Sequence, residues 1–323
     1  MSPLPQTIHQ LSCKRIAVAM GIFDGVHLGH QKIIQQLIAL AQETEATPVA
    51  LFFAPHPKEV LFGTPPLFLT STVQKAELLR QYGAEQVICM PFTKELAAKQ
   101  PDEFLSLFLP APPIVTGFCV GKNWRFGCKN AGDATTLANW TRQYGLQSRL
   151  VEQVCHNGEP ISSTRIRAEI TAGNLKEAAA MLGHPISISG TVRHGNGIAK
   201  SELDCPTANI CEPGQLLPPY GVYAATAHWE RKQASGIVYV GEAPTIRTQG
   251  APVVVTELHL FDVEEDLYGK QMTVAFHEFI RPSIRFPSAT ALQQQIAKDI
   301  ETARSLLDSS LPCAGPGLRE ARP

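Results

Sequence analysis

Two histidines, His27 and His30, stand three positions apart where a glycine-containing turn gives way to a segment of helical periodicity. Residues at i and i+3 share one face of a helix. A helix N-terminus also presents unpaired N–H groups and the positive end of its dipole, so two imidazoles placed there can hydrogen-bond one phosphate. Nucleotidyl transfer asks for such a site: an acceptor phosphate attacks the α-phosphorus of ATP, pyrophosphate leaves, and the protein positions the groups and offsets the growing negative charge. Gly21, Gly25 and Gly29 let the backbone approach a nucleotide closely. A lone histidine among the ten in the chain would mean little. The whole octet Phe23-Asp24-Gly25-Val26-His27-Leu28-Gly29-His30, after a strand and before a helix, is far more specific. Within it Asp24 either orients a loop or touches the nucleotide, and both readings stay open.

Glu257 is the second residue of chemical interest. It interrupts the β-branched run Val253–Phe261, and alternation puts it on the strand face of Val255, His259 and Phe261. A carboxylate there is costly unless it faces solvent or a site, and the site is the better reading.

The elements that must position these residues are readable from periodicity. Lys14–Met20 is a short apolar strand, and Gln31–Glu43 carries Ile33, Ile34, Leu37, Ile38 and Ala41 at helical spacing. Strands at Thr47–Ala54, Glu85–Met90 and Pro113–Val120 then alternate with helices near Val73–Tyr82 and Pro101–Leu109. That alternation predicts an α/β fold, a parallel sheet with helices on both faces. Such sheets bind ligands beyond the carboxyl ends of their strands, where Gly21–Gly25 lies. From about Ser187 the pattern becomes short strands, at Ser187–Arg193, Gly221–Ala227, Gly236–Tyr239, Val253–Phe261 and Gln271–Phe276, then an amphipathic helix near Ala289–Leu307. This half is expected to be a six-stranded antiparallel β-barrel with a C-terminal helix. The expected division is 1–184, 185–308 and a disordered tail 309–323.

Composition bounds the rest. A chain of 323 residues suits two domains. With 44% hydrophobic and 18% charged residues and a net charge of −1, it has no polyanion surface. No nucleic-acid partner is expected. No apolar stretch reaches the roughly 20 residues needed to cross a bilayer, and Met1–Cys13 has no apolar signal core. Eight singly scattered cysteines form no CxxC pair, so they read as reduced thiols of a cytoplasmic protein with no membrane partner. Nothing in the pattern sets an oligomeric state.

The stretch Gly21-Ile22-Phe23-Asp24-Gly25-Val26-His27-Leu28-Gly29-His30-Gln31 resembles the HxGH signature of the bacterial bifunctional riboflavin kinase/FAD synthetases. Phe53-Ala54-Pro55-His56-Pro57, Gly121-Lys122-Asn123-Trp124-Arg125-Phe126-Gly127 and Ile161-Ser162-Ser163-Thr164-Arg165-Ile166-Arg167 resemble further motifs of its first half. Pro206-Thr207-Ala208-Asn209, Gly241-Glu242-Ala243-Pro244-Thr245, Glu257–Asp262 and Asp266-Leu267-Tyr268-Gly269 resemble those of its kinase half, with Ile280-Arg281 and Arg285-Phe286 at later positions.

The resemblance implies a Rossmann-like nucleotidyltransferase domain followed by a riboflavin kinase-like barrel, with riboflavin, FMN and ATP as ligands and FAD as product. His27 and His30 would hold the ATP phosphates, with Gly21, Phe23, Asp24 and Gly29 around the nucleotide and Asn123 at the transfer centre. Ser163, Thr164 and Arg167 would bind the triphosphate, and hydroxyls followed by an arginine at a helix start do make a polyphosphate clamp. The plainer alternative is a helix cap. His56 and Arg281 are flavin-side candidates. In the kinase half, Gly195, Thr207 and Asn209 would bind ATP, with Thr207 and Asn209 also on Mg²⁺. A hydroxyl and an amide oxygen suit that hard cation, although an Asx-type turn explains them too. Glu257 would be the base that accepts the ribityl proton.

The kinase half departs from the pattern. The usual Gly-Arg is Ala199-Lys200, Gly-Phe is Asp204-Cys205, there is one extra residue, and Tyr239 stands where asparagine is usual. The rival readings are therefore an FMN adenylyltransferase whose barrel only binds flavin or supports the fold, and a non-catalytic flavin- or nucleotide-binding regulator.

Overall fold

The first strand has two unlike faces. Ile16, Val18 and Met20 pack into one hydrophobic layer, while Ala17 and Ala19 face another that holds Ile34, Leu37 and Leu40. Alanines under a helix let it lie close, which brings the start of that helix to the end of the strand that precedes it. The computed structural model describes residues 3–194, 208–210, 213–242 and 254–310. Gly195, Thr207, the loop that carries Ala199-Lys200 and Asp204-Cys205, and the tail from residue 311 lie outside them, as does the side chain of Asn209.

The chain divides into two compact units. The first comprises Met1–Glu169, Lys176–His184 and Gly214–Leu216; the second comprises Ile170–Leu175, Pro185–Pro213 and Leu217–Pro323. In the first unit β1 (Arg15–Met20), β2 (Thr47–Ala54), β3 (Gln86–Pro91), β4 (Ile114–Gly121) and β7 (Gln147–Val151) form a parallel sheet in the order β3-β2-β1-β4-β7. Helices α1 (Leu28–Glu43) and α3 (Thr72–Gln81) contribute to the layer on one face. Helices α5 (Pro101–Ser106) and α6 (Ala134–Gln143) contribute to the other. Short helices α2 (Pro57–Phe62) and α4 (Lys94–Ala98) and the hairpins β5 (Arg125–Phe126)–β6 (Gly132–Asp133) and β8 (Cys155–His156)–β9 (Glu159–Pro160) fill the connections. Helices α7 (Ser163–Thr171) and α8 (Leu175–Leu182) follow. Helix α5 stops earlier than its periodicity suggests, because Pro110, Pro112 and Pro113 follow and a residue before proline avoids the helical region.

In the second unit β10 (Ser187–Thr191), β11 (Arg193–His194), β12 (Ala208–Asn209), β13 (Gly221–Trp229), β14 (Lys232–Glu242), β15 (Val254–Leu260) and β16 (Gln271–Pro282) follow the order β10-β16-β13-β14-β15-β12-β11. The two ends of that order, β10 and β11, are one run of chain interrupted only at Val192. The sheet therefore curls back on itself with six strand positions, as the sequence predicts. Every pairing is antiparallel.

Helix α9 (Ala289–Ser310) covers one face of this sheet, burying Ala303 and Leu307 with Val222, Ile237 and Phe261. It is fastened by Asp299, which is 2% exposed and accepts Arg281 Nε at 3.0 and 2.9 Å, Arg281 Nη2 at 2.8 Å and Gln295 Nε2 at 2.9 Å. Asp299→Ala would leave the Arg281 charge buried and unmatched, at a cost of about 3–5 kcal/mol. The denaturant midpoint of the second unit's unfolding should fall accordingly, and a loss under about 1 kcal/mol would show that the pair is not what fastens the helix.

Candidate active sites

The chain leaves β1 to fill one side of the sheet with β2 and β3, then returns to fill the other with β4 and β7. The crossover lies between β1 and β4, the place where open α/β sheets bind ligands. The turn after β1 opens on this crevice. Its backbone is held in uncommon conformations, with φ of 52° at Phe23, 79° at Gly25 and 38° at Val26. Positive φ at a β-branched residue costs energy and persists only where the surroundings over-determine it.

Here they do. Gly25 N donates to Thr70 Oγ1 at 3.1 Å, Gln31 Nε2 to Val26 O at 2.9 Å, Ser163 Oγ to Asp24 O at 2.9 Å, and His184 Nε2 lies 3.0 Å from Gly25 O. Asp24 itself is 3% exposed. Its carboxylate accepts Leu69 N at 3.0 Å, Thr70 N at 3.2 Å and Thr70 Oγ1 at 3.3 Å, and pairs with Arg167. Arg167 also donates through Nε to Leu67 O at 2.6 Å. The loop at 67–69 is braced in turn by Gly214–Leu216: Phe68 N donates to Gly214 O and Leu216 N to Phe68 O, each at 2.9 Å, and Gln215 Nε2 to Leu69 O at 3.2 Å.

Within this frame His27 caps α1 and His30 lies in its first turn. The two rings stack, with centroids 3.6 Å apart and planes 17° from parallel, and Phe23 meets His30 edge-on at 5.2 Å. A Cβ at Gly29 would come within 3.1 Å of the His27 ring, so glycine there lets that ring fold over the helix start. Burial pushes His27 down to about 4 and His30 well below the ordinary value, with Asp24 opposing the fall at His27 and the neighbouring ring adding to it at His30. Both rings are therefore neutral near pH 7 and offer hydrogen bonds rather than charge. Their Nδ1 atoms are buried without a hydrogen-bond partner in the described structure, an arrangement that native proteins reserve for a reason.

The other expected residues of this half fall around the same crevice. Asn123 is exposed in the turn after β4, its Oδ1 3.0 Å from where a Cβ of Gly121 would stand. Gly21 follows β1 directly. His56 follows β2 and caps α2, its Nδ1 accepting from Lys58 N at 3.1 Å. Ser163 and Arg167 reach the loop as described, whereas Thr164 is exposed and makes no hydrogen bond there. The sequence reading missed Gln31, Thr70, Lys75, His184 and Gln215, all of which border the loop. None forms a local pattern of its own: Thr70, His184 and Gln215 are marked by partners far away in the chain, Gln31 by Leu182 O, and Lys75 by its burial.

In the second unit the strand register aligns one row across six strands: Arg193 opposite Asn209, Asn209 opposite Glu257, Glu257 opposite Tyr239, Tyr239 opposite Val222, and Val222 opposite Arg281. Val222 and Tyr239 pack into the layer under α9, so Glu257 lies on that face. Burial raises its carboxyl above the ordinary range. Tyr239 reaches Ser283, with hydroxyls 3.0 Å apart. Arg281 is committed within the unit, through Asp299 and through Nη1 to Pro282 O at 3.1 Å, and its guanidinium lies over the Phe286 ring, 5.4 Å from the ring centre.

Fold and sites together define an HxGH-type α/β phosphate-binding domain followed by a small antiparallel barrel with a half-buried carboxylate. The family model described as FAD synthetase matches residues 9–165, and that described as riboflavin kinase matches residues 182–307. The bifunctional riboflavin kinase/FMN adenylyltransferase of Escherichia coli K12 is 34% identical over 94% of this chain and 98% of its own. That of Haemophilus influenzae is 32% identical over 91% and 94%. A solved structure described as a macrolide-efflux protein from Streptococcus pneumoniae shares the fold, with a TM-score of 0.78 and 26% identity over 94% of this chain and 98% of that one. No helix among the described residues is long and apolar enough to cross a membrane. The chain belongs to the bifunctional riboflavin kinase/FMN adenylyltransferase family.

Proposed function

We infer that this chain carries out two successive steps of flavin nucleotide synthesis in the cytoplasm. Residues 185–308 phosphorylate riboflavin with ATP to give FMN and ADP, and residues 1–184 transfer AMP from a second ATP to FMN, giving FAD and pyrophosphate. The observation that carries the reading is the stacked His27–His30 pair, with two buried unpartnered Nδ1 atoms at the mouth of α1 and at the crossover of the sheet.

In adenylyl transfer, His27 and His30 donate hydrogen bonds to the triphosphate, and Gly21, Phe23 and Gly29 shape the backbone around it. Asn123 approaches from β4, with Ser163, Thr164 and Arg167 from α7. Asp24 acts by holding Arg167 and the 69–70 backbone. His56 lies on the acceptor side. In the kinase step, Glu257 takes the proton of the ribityl hydroxyl as that oxygen attacks the γ-phosphorus. Thr207 and Asn209 supply oxygen donors of the type Mg²⁺ prefers, and Asn209 stands opposite the half-buried Glu257 in the β12–β15 register. Bound with ATP, the cation would offset phosphate charge during transfer.

Purified protein given riboflavin and Mg-ATP should form FMN and then FAD. Formation of FAD only when FMN is supplied would favour the reading in which the barrel no longer phosphorylates, which the Ala199-Lys200 and Asp204-Cys205 departures motivate.

A further inference from the structure

Lys75 lies in the first turns of α3 and is 8% exposed, a rare degree of burial for lysine. Its Nζ sits 4.9 Å from the centre of the Phe52 ring on β2. Its side chain takes part in no ion pair or hydrogen bond among the described residues. The charged and titratable groups around it are Asp24, Arg167, Cys89, His30 and His56. Cys89 stands opposite Phe52 in the β2–β3 register. A buried, unmatched ammonium destabilises a fold, and such costs persist where function needs them.

The charges near the crevice identify what that function is. Arg167 is matched by Asp24 and the two imidazoles are neutral, so Lys75 is the buried positive charge left over there, with the exposed Lys58 adding to the field at His56. Lys75 acts electrostatically on both His30, at the triphosphate side, and His56, at the acceptor side. Two phosphates brought within bonding distance repel one another, and a cation is needed where they meet. We propose that Lys75 binds the acceptor phosphomonoester at the point where it meets the α-phosphate of ATP, a role that rests on the adenylyl-transfer reading above. An acceptor oxygen bonds to the α-phosphorus, the bond from that phosphorus to the bridging oxygen breaks, and pyrophosphate leaves with the electron pair. Lys75 stays an ammonium throughout.

The test uses the full chain, with K75M and K75R compared to the wild type for FAD formation from FMN and Mg-ATP, FMN formation from riboflavin, and thermal melting. K75M should lose about 100-fold or more in FAD formation, keep its rate of FMN formation and melt no lower than the wild type. Burial lowers the Lys75 pKa, with Asp24 opposing, so the wild-type rate should fall as pH rises through that lowered value and the ammonium is lost. K75R, charged at all such pH values, should keep the rate within about tenfold and move that alkaline limb upward. K75M within about threefold of the wild type in FAD formation would overturn the proposal. So would K75R with an unmoved alkaline limb, which decides the matter if K75M does not fold. A wild type that forms FMN but no FAD would instead sink the adenylyl-transfer reading, and the proposal with it.

Discussion

Replacing His30 with alanine should lower FAD formation from FMN and ATP by about 10²–10³-fold, the usual cost of removing one preorganised donor from a site of charge development. FMN formation from riboflavin, in a separate unit, should change by less than about twofold. The size of the effect follows from the geometry. The two rings stack at 3.6 Å, so removing one leaves the other without its support as well as deleting a donor. His27→Ala should therefore cost a similar amount, and the double variant little more than either single one, because groups that act as a unit are not additive. Neutrality of the pair has a further consequence for acid stability. The folded pKa of His27, about 4, lies below the ordinary 6.5. Its contribution is thus intact above pH 6.5 and is lost as pH falls from there towards 4, by up to roughly 3 kcal/mol. His30→Ala opens the pair to water and should reduce this loss. Equal pH dependence of the urea midpoint in wild type and variant would contradict the enclosed-pair picture, and adenylyl transfer within threefold of wild type would remove His30 from the site.

The parts of this fold that are legible in the sequence share one property: their signals are local. Strand, turn and helix from Arg15 to Glu43 are adjacent in sequence, and the His27–His30 spacing is meaningful once that helix is recognised. Helix α6 escapes a periodicity reading because Thr135, Thr136 and Asn139 are weak helix formers and its buried face, Ala134, Leu137, Trp140 and Thr141, holds just two large apolar side chains. Strand β7 sits at the sheet edge with only Val151 fully buried, so it lacks the apolar run of β1 or β2. The sixth barrel position, Ala208–Asn209, is two residues long and reads as a motif rather than as a strand. Asp24 shows the limit most clearly. Its neighbours in sequence cannot decide whether it orients a loop or touches nucleotide. Its donors lie at Leu69 and Thr70 and its ion-pair partner at Arg167, and no local pattern joins residues that far apart. Lys75 and Gln215 are hidden for the same reason, since an ordinary lysine and glutamine become distinctive only when tertiary packing buries them.

Glu257 is the position where a second large effect is expected. Glu257→Gln keeps the shape of the side chain and removes its basicity, so riboflavin phosphorylation should fall by about 10²–10⁴-fold, the range general-base catalysis contributes. FAD formation from supplied FMN should persist, because His27, His30 and their braces lie in the other unit. The fold should not suffer, since the carboxylate lies half-buried under α9 and a neutral amide is easier to bury there. Burial also fixes the pH dependence. A base must be ionised to act, and desolvation raises this carboxyl above its ordinary value. The kinase rate should therefore rise with pH through that raised pKa, with its acid limb above that of an unburied glutamate, and the limb should vanish in the variant's residual rate. The row from Arg193 to Arg281 explains why this residue, among the acidic residues of the barrel, is placed to act as the base. The register sets Asn209 beside it on one strand and Tyr239 on the other. A Glu257→Gln enzyme that phosphorylates riboflavin within threefold of the wild type would show that the ribityl proton leaves by another route.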